Sequence, residues 1–191
     1  MCIRDRFNGL SNLQLLDLAF NQLTHLDPAI FNGLSNLQTL NLYCNQLTDL
    51  DASLFNGLSN LQTVYLNYNQ LKNIDSTIFN GLINLQSLYL SDNQFSNLNS
   101  AIFNGLSSLQ TLHLENNQLS SINADIFKGL NSLTTIQLYN NPVASINSLT
   151  AVFSSMTNMQ TCSIYIASPS TNSTRNLCKT SCVIYYWYLE L

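Results

Sequence analysis

The chain reads as an α/β-class solenoid, a right-handed coil whose turns each lend one short strand to a single parallel sheet. Turns or 3-10 segments close each coil on the opposite, convex side. Three observations predict it. Phe-Asn-Gly-Leu recurs at residues 7, 31, 55, 79 and 103 and returns as Phe-Lys-Gly-Leu at 127, at one constant interval. Apolar residues at alternate positions accompany each copy, as in Leu16 and Leu18, Leu40 and Leu42, Val64 and Leu66. The 191 residues include 35 Leu and 28 Asn but only 8% charged side chains, a bias that repetition explains.

Each column of the unit has a physical role. Counted from the first Leu of the strand, the unit is L-Q-x-L-x-L-x-x-N-Q-L-x-x-L-x-x-x-I-F-N-G-L-S-N. Position 1 holds Leu13, Leu37, Leu61, Leu85, Leu109 and Leu133, then Met159. Positions 4 and 6 share one face of a strand, which a single strand cannot bury but a stack of copies can. Position 9 holds Asn21, Asn45, Asn69, Asn93, Asn117 and Asn141, where the chain must turn. A buried Asn amide offers both donors and an acceptor, so this column is expected to form a ladder that satisfies turn backbone groups. Phe31, Phe55, Phe79, Phe103 and Phe127 are expected to stack as a spine on the convex side. The Gly two positions after each lets the backbone turn tightly. A seventh unit, Phe153 to Met156, falls two positions late, which puts a two-residue insertion between Ile146 and Phe153.

This unit resembles the 24-residue leucine-rich repeat of Toll-like receptors, small leucine-rich proteoglycans and variable lymphocyte receptors. The resemblance implies a horseshoe arc of about seven strands over residues 7–166, with ligand recognition on the concave face. It also implies an extracellular or cell-surface setting, the chain being a fragment of a receptor-like protein. Residues 1–6 fall out of phase and resemble a translated sequencing adapter, so they are set aside as not native. Residues 167–191 form a loop and tail, a cap or a truncated segment: Ala167 stands in the ladder slot, and a Ser/Thr/Asn-rich stretch follows. The disulfide-bearing cap of secreted relatives is not matched, and Cys178 and Cys182 are free to pair with each other or with a partner outside the chain, a choice the sequence leaves open. The closing apolar stretch from Val183 to Leu189 fits a covering strand, the start of a membrane helix, or out-of-frame sequence. One glycosylation sequon, Asn172-Ser173-Thr174, falls in the loop.

Composition narrows the function. Intrinsic disorder disagrees with so much Leu and Phe. No apolar run approaches the roughly 18 residues of a membrane span, so no membrane insertion is expected within the repeats. The net charge is −4, and the six Lys and Arg are scattered. A phosphate backbone calls for clustered cations, so nucleic acid is not an expected partner.

The outward columns carry the functional signal. Position 5 reads Asp17, Asn41, Tyr65, Tyr89, His113, Gln137, Ser163; position 7 reads Ala19, Tyr43, Asn67, Ser91, Glu115, Tyr139, Tyr165. Position 8 reads Phe20, Cys44, Tyr68, Asp92, Asn116, Asn140, Ile166. Six of the nine Tyr fall in these columns and the other three in the tail, while convex positions such as Thr24, Asn73 and Ser96 carry no aromatics. Tyr gives large amphipathic contact area at low entropic cost, so the concave set Tyr43, Tyr65, Asn67, Tyr68, Tyr89, Asp92, His113, Glu115 and Tyr139 is the expected ligand surface. The competing account is that β propensity alone places Tyr in strands.

A protein ligand is expected, with a glycan as the second choice. The alternative role is an intracellular scaffold segment of a larger signalling protein. No cofactor, metal or catalytic residue is expected: His113, Glu115 and Asp92 are too few for a metal site, and no phosphate loop, His-Glu-x-x-His or nucleophile elbow occurs. The pattern carries no signal for an oligomeric state.

Overall fold

The computed structural model of the chain describes residue 7, residues 9–142 and the backbone of 161–163. Seven strands form one sheet: β1 Leu15–Asp17, β2 Thr39–Asn41, β3 Thr63–Tyr65, β4 Ser87–Tyr89, β5 Thr111–His113, β6 Thr135–Gln137 and β7 Thr161–Ser163. They lie in chain order, all parallel. The register is set by the repeat, with Leu16 beside Leu40, Val64 beside Leu88, and Leu112 beside Ile136. Between β6 and β7 the partner of Ile136 is Cys162, so the insertion leaves the register intact. The expectations placed on residues 1–6, on 167–191 with Cys178 and Cys182, and on the Asn172 sequon lie outside the described residues.

Parallel pairing continues past the short strands. The N–H groups of Leu42 and Cys44 donate to the carbonyls of Tyr65 and Asn67, at 2.9 and 3.1 Å, and those of Leu66 and Tyr68 donate to Tyr89 and Ser91. Backbone groups of positions 5 to 8 are thereby engaged from rung to rung. That fixes the spacing of the outward side chains.

The core is the expected one. Leu37, Leu61, Leu85 and Leu109 are fully buried, as are Leu40, Val64, Leu88 and Leu112. The Phe column fills the convex side, each ring from Phe31 to Phe127 being 1% exposed or less. Stacked pairs include Phe55 with Phe79 at 6.0 Å and Phe79 with Phe103 at 6.4 Å. Among the described residues one 3-10 helix forms, Ala124–Phe127, and the other convex segments are turns.

Two devices close each turn. Asp51 Oδ1 accepts from the N–H and hydroxyl of Ser53, and Asp75 does the same with Thr77, which holds both carboxyls below the usual carboxylate range. Gly57 sits at φ +81°, and a β-carbon there would meet nothing within 4 Å. Glycine is needed for its backbone angle and not for space.

The Asn column bridges consecutive rungs. Asn69 Oδ1 accepts from Leu47 N–H at 3.0 Å, and its Nδ2 donates to the carbonyls of Leu42 and Leu66 at 3.0 and 3.1 Å. Asn45, Asn93, Asn117 and Asn141 belong to the same ladder and are all buried. Asn21, at the first rung, is exposed and bonds to Leu18 and Ala19 nearby in the chain. A second amide ladder runs at the opposite ends of the strands. Asn36, Asn60 and Asn84 donate to the carbonyls of Ser11, Ser35 and Ser59, a set the sequence pattern contained but did not single out.

Candidate functional site

The outward columns form two aromatic ribbons. Along position 5, Tyr65 stacks on Tyr89 at 4.7 Å between centroids and 10° between planes, and Tyr89 meets the His113 ring edge-on at 4.9 Å. Along positions 7 and 8, Phe20 meets Tyr43 at 5.0 Å and Tyr43 meets Tyr68 at 5.3 Å, both edge-to-face. Phe20 is 75% exposed and Tyr68 49%. Phe20 was not among the expected contact residues; its place in the same column as Tyr68 was the available signal. Tyr139 is half-buried, two rungs beyond Tyr89.

Position 8 has a feature that spacing alone does not reveal. Phe20, Cys44, Tyr68, Asp92, Asn116 and Asn140 all take φ between 53° and 57°, the left-handed region. Asn and Asp tolerate that region through local hydrogen bonds, whereas other side chains are strained there by about 1–2 kcal/mol each. Asp92, Asn116 and Asn140 therefore suit the turn, and they are linked: Asn140 Nδ2 donates to Asn116 Oδ1 at 2.8 Å, and Asn116 Nδ2 to Asp92 Oδ1 at 2.9 Å. Phe20, Cys44 and Tyr68 occupy the same angle without that compensation.

Position 7 departs from the expected outward placement. Glu115 is 6% exposed and Ser91 3%, so neither is an open surface group. For Ser91 the reason lies one rung away in each direction. Each position-7 side chain is flanked by its counterparts on the preceding and following rungs, so the short Ser91 sits between the taller Asn67 and Glu115. Glu115 folds onto the strand, its Oε1 3.1 Å from His113 Nδ1. Its Oε2 and the Oδ1 of Asn67 are buried without a hydrogen-bond partner. An unpaired buried acceptor costs about 1–3 kcal/mol, and more when charged. Asp92 and Asn67 are partly exposed.

The phenols report on these surroundings. Tyr68 is pushed above the ordinary tyrosine range, first by the Asp92 carboxylate and then by burial, Tyr43 and Glu115. Tyr65 moves the same way through burial and the neighbouring Tyr89. Cys44 is a free, half-buried thiol. Among the described residues no group of three His, Cys, Asp or Glu could hold a metal ion. No helix there is long and apolar enough to cross a membrane. His25 and Asp49 form an exposed pair at 3.2 Å on the convex turn, which contributes little.

The leucine rich repeat family profile matches residues 4–43, 35–95 and 83–143. The chain belongs to the leucine-rich-repeat family. Among solved structures it is similar to TLR13 in its complex with ssRNA13, with TM-score 0.75 and 28% identity over 84% of this chain. It also shares its fold with Toll in the Drosophila Toll–Spatzle complex, with TM-score 0.74 and 24% identity over 94% of this chain. In both cases this leucine-rich-repeat chain spans 23% of the other protein. Comparison with curated protein sequences finds no match.

Proposed function

We propose that the chain is a non-catalytic recognition module that binds a protein through its concave face, as a segment of a larger receptor-like protein outside the cell. The observation that carries this reading is the pair of contiguous aromatic ribbons, Tyr65–Tyr89–His113 and Phe20–Tyr43–Tyr68. Such rings are rigid and amphipathic, the chemistry of interface anchors. Strain at Phe20 and Tyr68 adds weight, because a turn built for stability alone would hold Asn there, as it does at Asn116 and Asn140. The TLR13 neighbour was solved with an RNA and the Toll neighbour with Spatzle. Acidic Asp17, Asp92 and Glu115 on the concave columns favour a protein over a phosphate backbone.

Selection of a random-peptide phage library on the purified chain tests this, with a glycan array in parallel. Peptides should be enriched that bind the parent protein and a Lys72→Ala convex control equally, and that fail on the Tyr65→Ala/Tyr89→Ala protein. Neither side chain fills the Leu core, so the double variant should remain folded. Binders indifferent to the double substitution would remove the concave-face reading. Binding on the glycan array alone would turn it toward a carbohydrate ligand.

A further inference from the structure

Resting on that recognition reading, we infer that the concave face accepts a cationic N–H group of its protein partner, an Arg guanidinium or Lys ammonium, among Glu115, Asp92 and Asn67 beside Tyr68.

The geometry is a set of acceptors short of donors. Glu115 is more than nine-tenths buried, one oxygen held by His113 and the other without a partner. Asn67, two rungs away in the same column, has its Oδ1 in the same condition. Between them in the column stands Ser91, the shortest side chain of the three. Asp92 follows Ser91 in the chain, with its carboxylate positioned by the Asn116 amide. Asp92 and Glu115 both act on the Tyr68 phenol, so the two carboxylates turn toward one region although they stand on different rungs.

A guanidinium carries five N–H donors and no acceptor, an ammonium three and none. Either suits a site whose unpartnered atoms are acceptor oxygens, whereas a carboxylate or phosphate would bring lone pairs against lone pairs. The aromatic wall adds selectivity. Tyr43 and Tyr68 pack edge-to-face at 5.3 Å, with Tyr68 half exposed, which leaves ring surface for a cation. Charge agrees. Among the described residues the Lys and Arg side chains are Lys72 and Lys128, both exposed and outside the strands, so none of these cations competes for the site.

The experiment is a titration of the chain with N-acetyl-arginine amide and, separately, N-acetyl-citrulline amide, a neutral molecule of the same shape. Chemical shifts of the His113 and Tyr68 rings report binding. Arginine should give saturable shifts at both rings and citrulline should bind about tenfold more weakly or worse. Asp92→Asn keeps the acceptor that Asn116 needs, so it should fold normally and weaken arginine binding about tenfold; Glu115→Gln should do the same. Equal responses to arginine and citrulline, or arginine binding indifferent to both substitutions, would overturn the inference. Saturable shifts with calcium chloride but not arginine would overturn it in favour of a metal ion. Binding of an RNA oligonucleotide strengthened by Glu115→Gln would overturn it in favour of an anionic ligand. The broader reading is separable: library peptides that need Tyr65 and Tyr89 but show no Arg or Lys preference refute only the cationic group.

Discussion

Replacing Asn69 by Ala isolates what the buried amide ladder contributes. The N–H of fully buried Leu47 donates to Asn69 Oδ1, and truncation leaves that donor inside the core without water. One orphaned donor costs about 1–3 kcal/mol. The carbonyls of Leu42 and Leu66 lose one bond each but keep another, from Asn45 and Asn93 respectively. Losing these second bonds adds about 0.5–1 kcal/mol, because each carbonyl stays satisfied. The expected loss is about 1.5–4 kcal/mol.

Asn21→Ala is the matched control, since Asn21 is exposed and its bonds to Leu18 and Ala19 can be replaced by water. It should change stability by no more than about 0.5 kcal/mol. Urea unfolding followed by circular dichroism measures both, with an unchanged slope showing that only stability moved. Asn69→Asp sharpens the test. It keeps an acceptor for Leu47 but turns an anionic oxygen on two carbonyls, so the folded state favours the protonated carboxyl. Its deficit should shrink as pH falls through the raised folded pKa, since the protonated acid can again donate. Equal losses at positions 21 and 69, or a loss below about 1 kcal/mol at Asn69, would refute the account of a ladder that bridges rungs.

Phe79→Ala should cost about 3–5 kcal/mol in the same assay, because the ring is 1% exposed and stacked on both sides; a loss under about 1 kcal/mol would show that the spine collapses without consequence. Cys44→Asn should raise stability by about 1 kcal/mol by fitting the left-handed angle, as thermal melting would show, and destabilisation would refute the strain argument. Tyr68 should ionise above the ordinary tyrosine pKa, and Asp92→Asn should lower its transition, read from tyrosinate absorbance; no movement would separate the two groups. The stabilisation from Asp51 and Asp75 should be present above the usual carboxylate pKa and lost as pH falls through the lowered folded values. Ser53→Ala with Thr77→Ala should flatten that acid limb of the stability profile.

The strand positions and register were readable because each column recurs at a fixed phase and one strand alone cannot bury Leu16 or Leu40. The Asn column was equally visible, since its phase is constant and an amide is the side chain that can both give and accept at a turn. Burial of Ser91 was not readable, because it depends on the height of neighbours one repeat away in each direction, nor was that of Glu115, which folds back onto His113. Nor was the left-handed angle at position 8. Asp92, Asn116 and Asn140 hinted at it, but Phe20, Cys44 and Tyr68 carried the opposite local preference. The second amide ladder at Asn36, Asn60 and Asn84 was hidden for another reason. Its column changes to Ser108 and Ser132, so it looked like ordinary surface variation.

The distribution of unfavourable features bears directly on which surface was shaped for binding. On the convex side Asp51 and Asp75 cap their turns, Gly57 supplies the positive angle, and amides such as Asn60 reach the preceding rung. On the concave side Phe20 and Tyr68 hold a strained angle, and the buried acceptors of Asn67 and Glu115 lack partners. A sequence drifting under stability alone would scatter such departures over both faces, because the same backbone geometry recurs on every rung. It would also favour Asn at position 8 throughout, a solution already present at Asn116 and Asn140. Among the described residues, strain and unmet hydrogen bonds instead gather on the concave columns and the turns that follow them. A partner that covers the rings and supplies the missing donors would turn that local deficit into binding free energy, which a surface selected only for folding has no reason to hold.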